Sequence, residues 1–83
     1  MSSSEVAGTP VTAQPLLGSV TATAVCPVGS TLLGGGFELS NASVLQVTSS
    51  SRDGVNPNQW NVVAFVPVGL LAGTVTSVAE CSP

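Results

Sequence analysis

The sequence predicts an all-β domain: a compact, approximately five-stranded antiparallel sandwich or β-prism that is stapled by a disulfide and is oligomeric. Three observations predict this class. Turn residues recur about every 8–12 residues, β-branched residues alternate with polar ones between the turns, and no helical period is longer than one turn. With 83 residues, the chain has room for one hydrophobic core.

The N-terminal part of the chain differs from the rest in its pattern. Residues 1–18 contain Pro10 and Pro15 and little periodicity, so they are predicted to form an extended arm or linker. A single all-β domain is expected over residues 19–83. Its first strand is predicted over 19–26, where "SVTATAVC" alternates and is rich in β-branched residues.

The second predicted strand, over 31–40, is interrupted by three glycines, Gly34, Gly35 and Gly36. Phosphate-binding loops combine glycines with a lysine and lead into a helix, and this chain has no lysine. Glycines inside a strand mark a bulge, a bend or a close approach of the backbone to another group. The three glycines are therefore assigned to close backbone packing, with a local bulge or bend as the first explanation, contact with another subunit as the second and approach to a ligand as the least favoured.

The remaining strands alternate with turns. A third strand is predicted over 43–51, and residues 52–59 ("RDGVNPNQ") consist of turn residues throughout. The segment 60–68 is the most apolar strand and is expected to be central. Residues 70–73 turn the chain into a last strand over 74–81.

The most apolar strand supplies the predicted core. An unbroken apolar run needs cover on both faces of a sheet. Trp60 could alternatively stack against a sugar from an exposed surface, but it lies at the entry of this strand, where a core or interface position is commoner. The residues assigned to the core or to a subunit interface are Trp60, Val62, Ala64, Phe65 and Val66.

Cys26 and Cys81 are the only cysteines and are best explained as a disulfide. The chain has no histidine for a mixed metal site and no Cys-x-x-Cys pair. The alternative is two buried free thiols in a reducing compartment. A disulfide favours an extracellular, cell-surface or particle-surface location.

Charged residues make up only 6% of the chain, and Arg52 is its one cation. Nucleic-acid binding needs several cations to neutralise phosphates, so that class is excluded. No apolar run approaches the length of a membrane span, so membrane insertion is not expected. A surface with so little charge offers little repulsion against self-association.

The candidate catalytic groups are few. Glu38 and Glu80 could form a carboxylate pair of the glycosidase type, but both lie near strand ends, where a solvated charge is ordinary. The serines have no histidine or lysine to activate them. We therefore expect no enzymatic activity and no cofactor.

The turn segment 52–59 offers oxygen ligands from Asp53, Asn56 and Asn58. The calcium-loop pattern of alternating acids closed by a glutamate is missing, so no metal site is predicted. This segment is retained as a candidate ligand loop, which could bind a glycan together with Trp60.

A resemblance follows from three segments. "CPVGSTLLGGGFEL" (26–39), "WNVVA" (60–64) and "TVTSVAEC" (74–81) resemble a small domain of secreted and surface bacterial proteins, which sometimes ends collagen-like or repetitive stalks. The resemblance covers residues 19–82. It implies an all-β module with a disulfide between the two cysteines, and it implies no activity. The charged residues that usually surround the strands of this domain are almost absent here.

An estimate of stability favours association. Surface scaling gives about 7,200 Å² buried on folding, of which about 55–60% is apolar and worth roughly 100 kcal/mol, against about 105 kcal/mol for ordering the chain. We therefore expect a structural module that forms a homo-oligomer, a trimer by preference, on an extracellular stalk, fibre or particle. The alternatives are a carbohydrate-binding or adhesin-like module and a decoration or fibre subunit of a virus.

Overall fold

Two antiparallel sheets make up the fold. The structure, a computed structural model, describes residues 4–14, 18–40, 45–67 and 72–82. Its described residues contain strands and no helix, and the predicted all-β class is confirmed. The strands are β1 (Ser4–Ala7), β2 (Val11–Ala13), β3 (Val20–Val25), β4 (Leu32–Ser40), β5 (Gln46–Arg52), β6 (Gln59–Phe65) and β7 (Gly73–Cys81).

Strands β3 to β7 correspond to the five strands that the sequence predicts, with ends displaced by a few residues. Several predicted positions lie outside the described residues: 1–3 and 15–17 of the arm, 43–44 of the third strand, 68 of the fourth, 70–71 of the last turn and 83.

The N-terminal segment contributes two strands that the sequence did not predict. Residues 4–7 and 11–13, expected to lie in an arm or linker, pair with β7 as β1 and β2. Both strands are short, and the interval between them contains Gly8 and Pro10. Neither strand is long enough to show the alternation of polar and apolar residues that identifies a strand in a sequence. Their pairing depends on the edge of a distant strand, which local sequence does not reveal.

Sheet A is built around β7, with β4 along one side and β1 and β2 in succession along the other. Val6 lies opposite Ala79 and Val11 opposite Val75, so both short strands place a valine on the inner face. On the other side Gly35 also lies opposite Ala79, after a register shift near the start of β4.

Sheet B consists of β3, β6 and β5, with β6 in the middle. The expectation that the most apolar segment is central is therefore confirmed. Val62 lies opposite Ala22 of β3 and Ser50 of β5, and Trp60 lies opposite Ala24. Turn residues separate β5 from β6, so these two strands form a hairpin.

The core lies between the two sheets and is made mainly of small side chains. Val62, Ala64 and Val66 are buried in it, while Phe65 points the other way and is half-buried opposite Gln46. A role for Phe65 between subunits stays a prediction. The buried core residues are Ala13, Ala22, Ala24, Cys26, Leu32, Leu45, Val62, Ala64, Val66, Val75, Ala79 and Cys81, whereas Val78 is buried on the outer face of sheet A.

A disulfide joins the two sheets at one end of the molecule. Cys26 follows β3 of sheet B and Cys81 ends β7 of sheet A, with their Cα atoms 5.7 Å apart. Both cysteines are buried beside Leu32 and Ala79. The predicted staple is confirmed, and it links the central strand of one sheet to an edge strand of the other.

Replacing Cys26 and Cys81 together by alanine is expected to lower the free energy of unfolding by about 4 kcal/mol. The bridge spans 55 sequence positions, and its removal returns the loop-closure entropy to the unfolded chain. Urea denaturation of both proteins measures the difference. A reductant should destabilise the native protein and leave the double variant unchanged; equal stability of the two proteins without reductant would contradict this role.

Candidate functional site

The glycine run of β4 lies directly against the only tryptophan of the chain. A Cβ atom added to Gly35 would overlap the indole ring of Trp60. Gly35 faces inward opposite Ala79, and the ring fills the space that a side chain would take. The run also contains an irregularity, because the register of β4 on β7 shifts between Leu32 and Gly34. A bulge and a close approach, two of the three explanations that the sequence left open, therefore occur together.

Gly34 and Gly36 have a different environment from Gly35. Cβ atoms built on either would meet nothing within 4 Å. Both lie opposite outward-facing residues of β7, Glu80 and Val78. Of the three glycines in the run, therefore, only Gly35 is closely packed within the chain, and the close packing expected at its two neighbours stays a prediction about a second molecule.

Trp60 connects the two halves of the core. The half-buried ring packs against both clusters of buried residues. Its indole N–H donates to Ser50 Oγ at 3.0 Å, and its main-chain carbonyl accepts a hydrogen bond from Ser77 Oγ at 2.8 Å. Ser77 is fully buried, so this bond satisfies its hydroxyl. Since one side of the ring lies on Gly35, that side is not free to stack on a sugar.

The polar residues of the 52–59 segment bind one another and the main chain. Asp53 Oδ2 accepts bonds from the N–H groups of Asn56 at 2.7 Å and Val55 at 3.0 Å, and its Oδ1 accepts one from Asn61 Nδ2 at 2.7 Å. Asn58 Oδ1 accepts the N–H of Leu32 at 3.2 Å, which ties the loop to β4. The three hydrogen bonds to Asp53 lower the pKa of its carboxyl group below the ordinary value, and the bond from the Asn56 N–H has the largest effect.

The candidate ligand loop therefore has a structural explanation. Asn56 Oδ1 also accepts the N–H of Asn58, at 3.1 Å, so the side-chain oxygens of all three candidate residues accept hydrogen bonds within the chain. Within the described ranges, no three acidic, cysteine or histidine side chains are grouped so that they could hold a metal ion.

Arg52 has a structural contact that the sequence analysis did not anticipate. Its Nη2 donates to the Leu32 carbonyl at 3.2 Å, which connects the end of β5 to the start of β4. Together with Asn58, it covers the main-chain groups of Leu32 beside the bulge. A signal in the sequence was available, because a lone cation next to a turn has few other roles.

Three carboxylates lie on the outer face of sheet A. Glu5 is directly opposite Glu80, and Glu38 lies on β4 opposite Thr76. They border a shallow open depression of about 220 Å³. The structure thus brings Glu38 and Glu80 to one face, where they are solvated at an open surface. The residues lining the depression are Glu5, Gly35, Gly36, Phe37, Glu38, Val78 and Glu80.

The outer face of sheet B has no charged side chain on any of its three strands, and we call it the uncharged face. Its residues alternate along each strand with core residues such as Ala22 and Val62. Val63 and Phe65 supply half-buried apolar area on its central strand, β6. The face consists of Thr21, Thr23, Val25, Gln46, Ser49, Ser51, Gln59, Asn61, Val63 and Phe65.

Comparison with known proteins gives no match: no protein family, no curated protein and no solved structure is detectably similar to this chain. In the part of the chain that the structure describes, no helix has the length and hydrophobicity needed to cross a membrane.

Gly35→Ala is expected to lower the free energy of unfolding by about 1–3 kcal/mol, because the added methyl group overlaps the Trp60 ring and overpacks the core. Gly36→Ala is the matched control. It adds the same group into open space and should leave stability unchanged or raise it by about 0.4–1 kcal/mol. Denaturant unfolding of the three proteins measures both effects. Equal losses in the two variants would show that the ring contact does not distinguish the glycines.

Asp53→Asn is expected to lower the melting temperature at neutral pH, because the amide cannot replace all the bonds that the carboxylate accepts. The pKa of Asp53 is lower in the folded protein than in the unfolded chain, so its contribution is present above the unfolded value of about 3.9 and is lost as pH falls through the folded value. The melting temperatures of the two proteins should therefore converge as the pH falls from about 3.9 through the folded pKa of Asp53. Thermal melts across the acid range test this, and a difference that persists at the lowest pH would contradict it.

Proposed function

We propose that this chain is a structural assembly module: a domain that forms a homo-oligomer on an extracellular stalk, fibre or particle. The trimer that the sequence favours is one such assembly. The disulfide between Cys26 and Cys81 is consistent with an extracellular location. No catalytic role is assigned to any residue.

The uncharged face is the observation that carries the proposal. Soluble domains ordinarily keep roughly a quarter of their surface residues charged, which opposes non-specific association. Here no strand of the face carries a charged side chain, and Val63 and Phe65 lie on its central strand. The Asp53 carboxylate bonds to Asn61 and so lies at the loop end of the face. A neighbouring copy that covers the part around Val63 and Phe65 would bury no charge, and burying unpaired charge is the largest penalty in forming an interface.

Binding of a glycan through Trp60 and the 52–59 segment is the alternative function, and it has less support. The ring lies on Gly35, and the oxygens of Asp53, Asn56 and Asn58 already accept bonds from the chain. A glycan array screened with the purified protein would detect such binding, and a clear hit would favour this alternative.

Sedimentation equilibrium is the direct test of assembly. At tens of micromolar protein, we expect a mass that is a multiple of the 8.1 kDa chain. The melting temperature should also rise with protein concentration, because association stabilises only the folded state. A single species of monomer mass, with a melting temperature independent of concentration, would contradict the proposed function.

A further inference from the structure

We infer that the free edge of β4 pairs antiparallel with the same edge of a second copy, about a twofold axis at Gly36. This inference rests on the proposed function, self-assembly, and adds a contact surface on sheet A that is separate from the uncharged face of sheet B. A twofold pair gives a dimer, so it also specifies a stoichiometry different from the trimer that the sequence favours.

The first argument is that the edge is open and its hydrogen-bonding groups can be located. Among the described strands β4 pairs with β7 alone. Phe37 lies opposite Ser77, whose carbonyl accepts the Gly8 N–H at 2.9 Å and therefore points away from β4. Main-chain groups in an antiparallel pair alternate between pointing inward and outward. The N–H and C=O groups of Gly35, Phe37 and Leu39 thus point to the free edge.

The second argument is that this edge lacks the usual protection. Natural edge strands are blocked by charged residues, proline, β-bulges or short length. Strand β4 is nine residues long and has no proline; its bulge lies before Gly34, and its one charge, Glu38, is on the outer face. Leu33 and Phe37 are 49% and 40% exposed along it, although both are large and apolar.

The third argument is that the edge is complementary to itself. With Gly36 opposite Gly36 of the second copy, Phe37 lies opposite the second copy's Gly35, and Glu38 lies opposite its Gly34. Each large side chain then faces a glycine, and the open space at Gly34 and Gly36 leaves room for the second chain. The main-chain groups of Gly35 and Phe37 both point to the free edge, so the two symmetry-related Phe37–Gly35 pairs exchange hydrogen bonds, whereas the Glu38–Gly34 pairs do not.

The same register buries exposed aromatic surface. Trp60 lies over Gly35 on the inner face, so Phe37 of the second copy would pack beside the Trp60 ring. Aromatic pairs of this kind add stability beyond their buried area. The contact occurs twice about the axis, once on each copy.

The charges in the pair are compatible with this register. The two Glu38 residues lie about 14 Å apart along the strands, and each lies about 10 Å across them from Glu80 of the second copy. These carboxylates are on the open outer face, and separations of this size are largely screened at physiological salt. An axis at Phe37 would instead bring the two Glu38 residues within about 7 Å along the strands. Gly36 is therefore the favoured centre.

Cysteine cross-linking tests the axis directly. In Gly36→Cys the new thiols meet across a non-hydrogen-bonded pair with Cα atoms about 4.5 Å apart, within disulfide range. Gly34→Cys is the matched control, since it has the same open space and the same face, but its thiols lie about 14 Å apart in the pair. The native cysteines are bonded to each other and do not interfere. We expect mild oxidation to form a covalent dimer of G36C at least about tenfold faster than of G34C.

A second pair of variants tests the edge without new cysteines. Phe37→Lys places a charge on the β4 edge and should raise the dimer dissociation constant about tenfold or more. Val28→Lys is its control, because Val28 is fully exposed in the turn after β3, outside both the β4 edge and the uncharged face, and this variant should dissociate as the native protein does.

The outcomes separate the two proposals. A native oligomer with equal cross-linking of G36C and G34C, or equal effects of F37K and V28K, would overturn the edge pairing and leave the proposed function standing. A trimer mass with no preferential G36C dimer would do the same. A monomeric native protein would overturn both.

Discussion

The packing of the Trp60 ring onto Gly35 is the contact on which the arrangement of the two sheets depends. The largest fully buried side chains are Val62, Val75, Cys81 and Ser77, so the interior is built from small residues and the sheets lie close together. One large ring must then fit between them at native packing density. It fits because Gly35 of the facing strand has no Cβ. The indole N–H of Trp60 donates to Ser50, and the main-chain carbonyl of Trp60 accepts a hydrogen bond from Ser77.

Strand β7 provides the framework around this contact. It pairs on both sides, and residues along its inner face, from Val75 to Cys81, are buried. A core of alanines and valines gains less from burial per residue than one of leucines and phenylalanines. The disulfide at the end of β7 compensates, since it stabilises the fold by restricting the unfolded chain and requires no large buried side chain.

The surfaces of the two sheets differ, and the difference bears on assembly. Sheet A carries Glu5, Glu38 and Glu80 on its outer face, whereas the outer face of sheet B has no charge. The single cation, Arg52, binds a main-chain carbonyl of β4 and does not pair with these carboxylates. The negative charge thus keeps the outer face of sheet A solvated. The strands of sheet B present no charge on their outer face, apart from Asp53 bonded to Asn61 at the loop end, and Glu38 is the one charged residue of β4.

The amino-acid sequence was sufficient to predict the all-β class, the approximate positions of five strands, the central place of β6 and the pairing of Cys26 with Cys81. These follow from local alternation, from turn chemistry and from there being only two cysteines, none of which depends on distant contacts. Tertiary structure alone decided the pairing of β1 and β2, because short edge strands take their conformation from β7. It also decided which glycine is packed: the register shift after Leu32 sets which of the three faces the core, and only the fold brings Trp60 against Gly35.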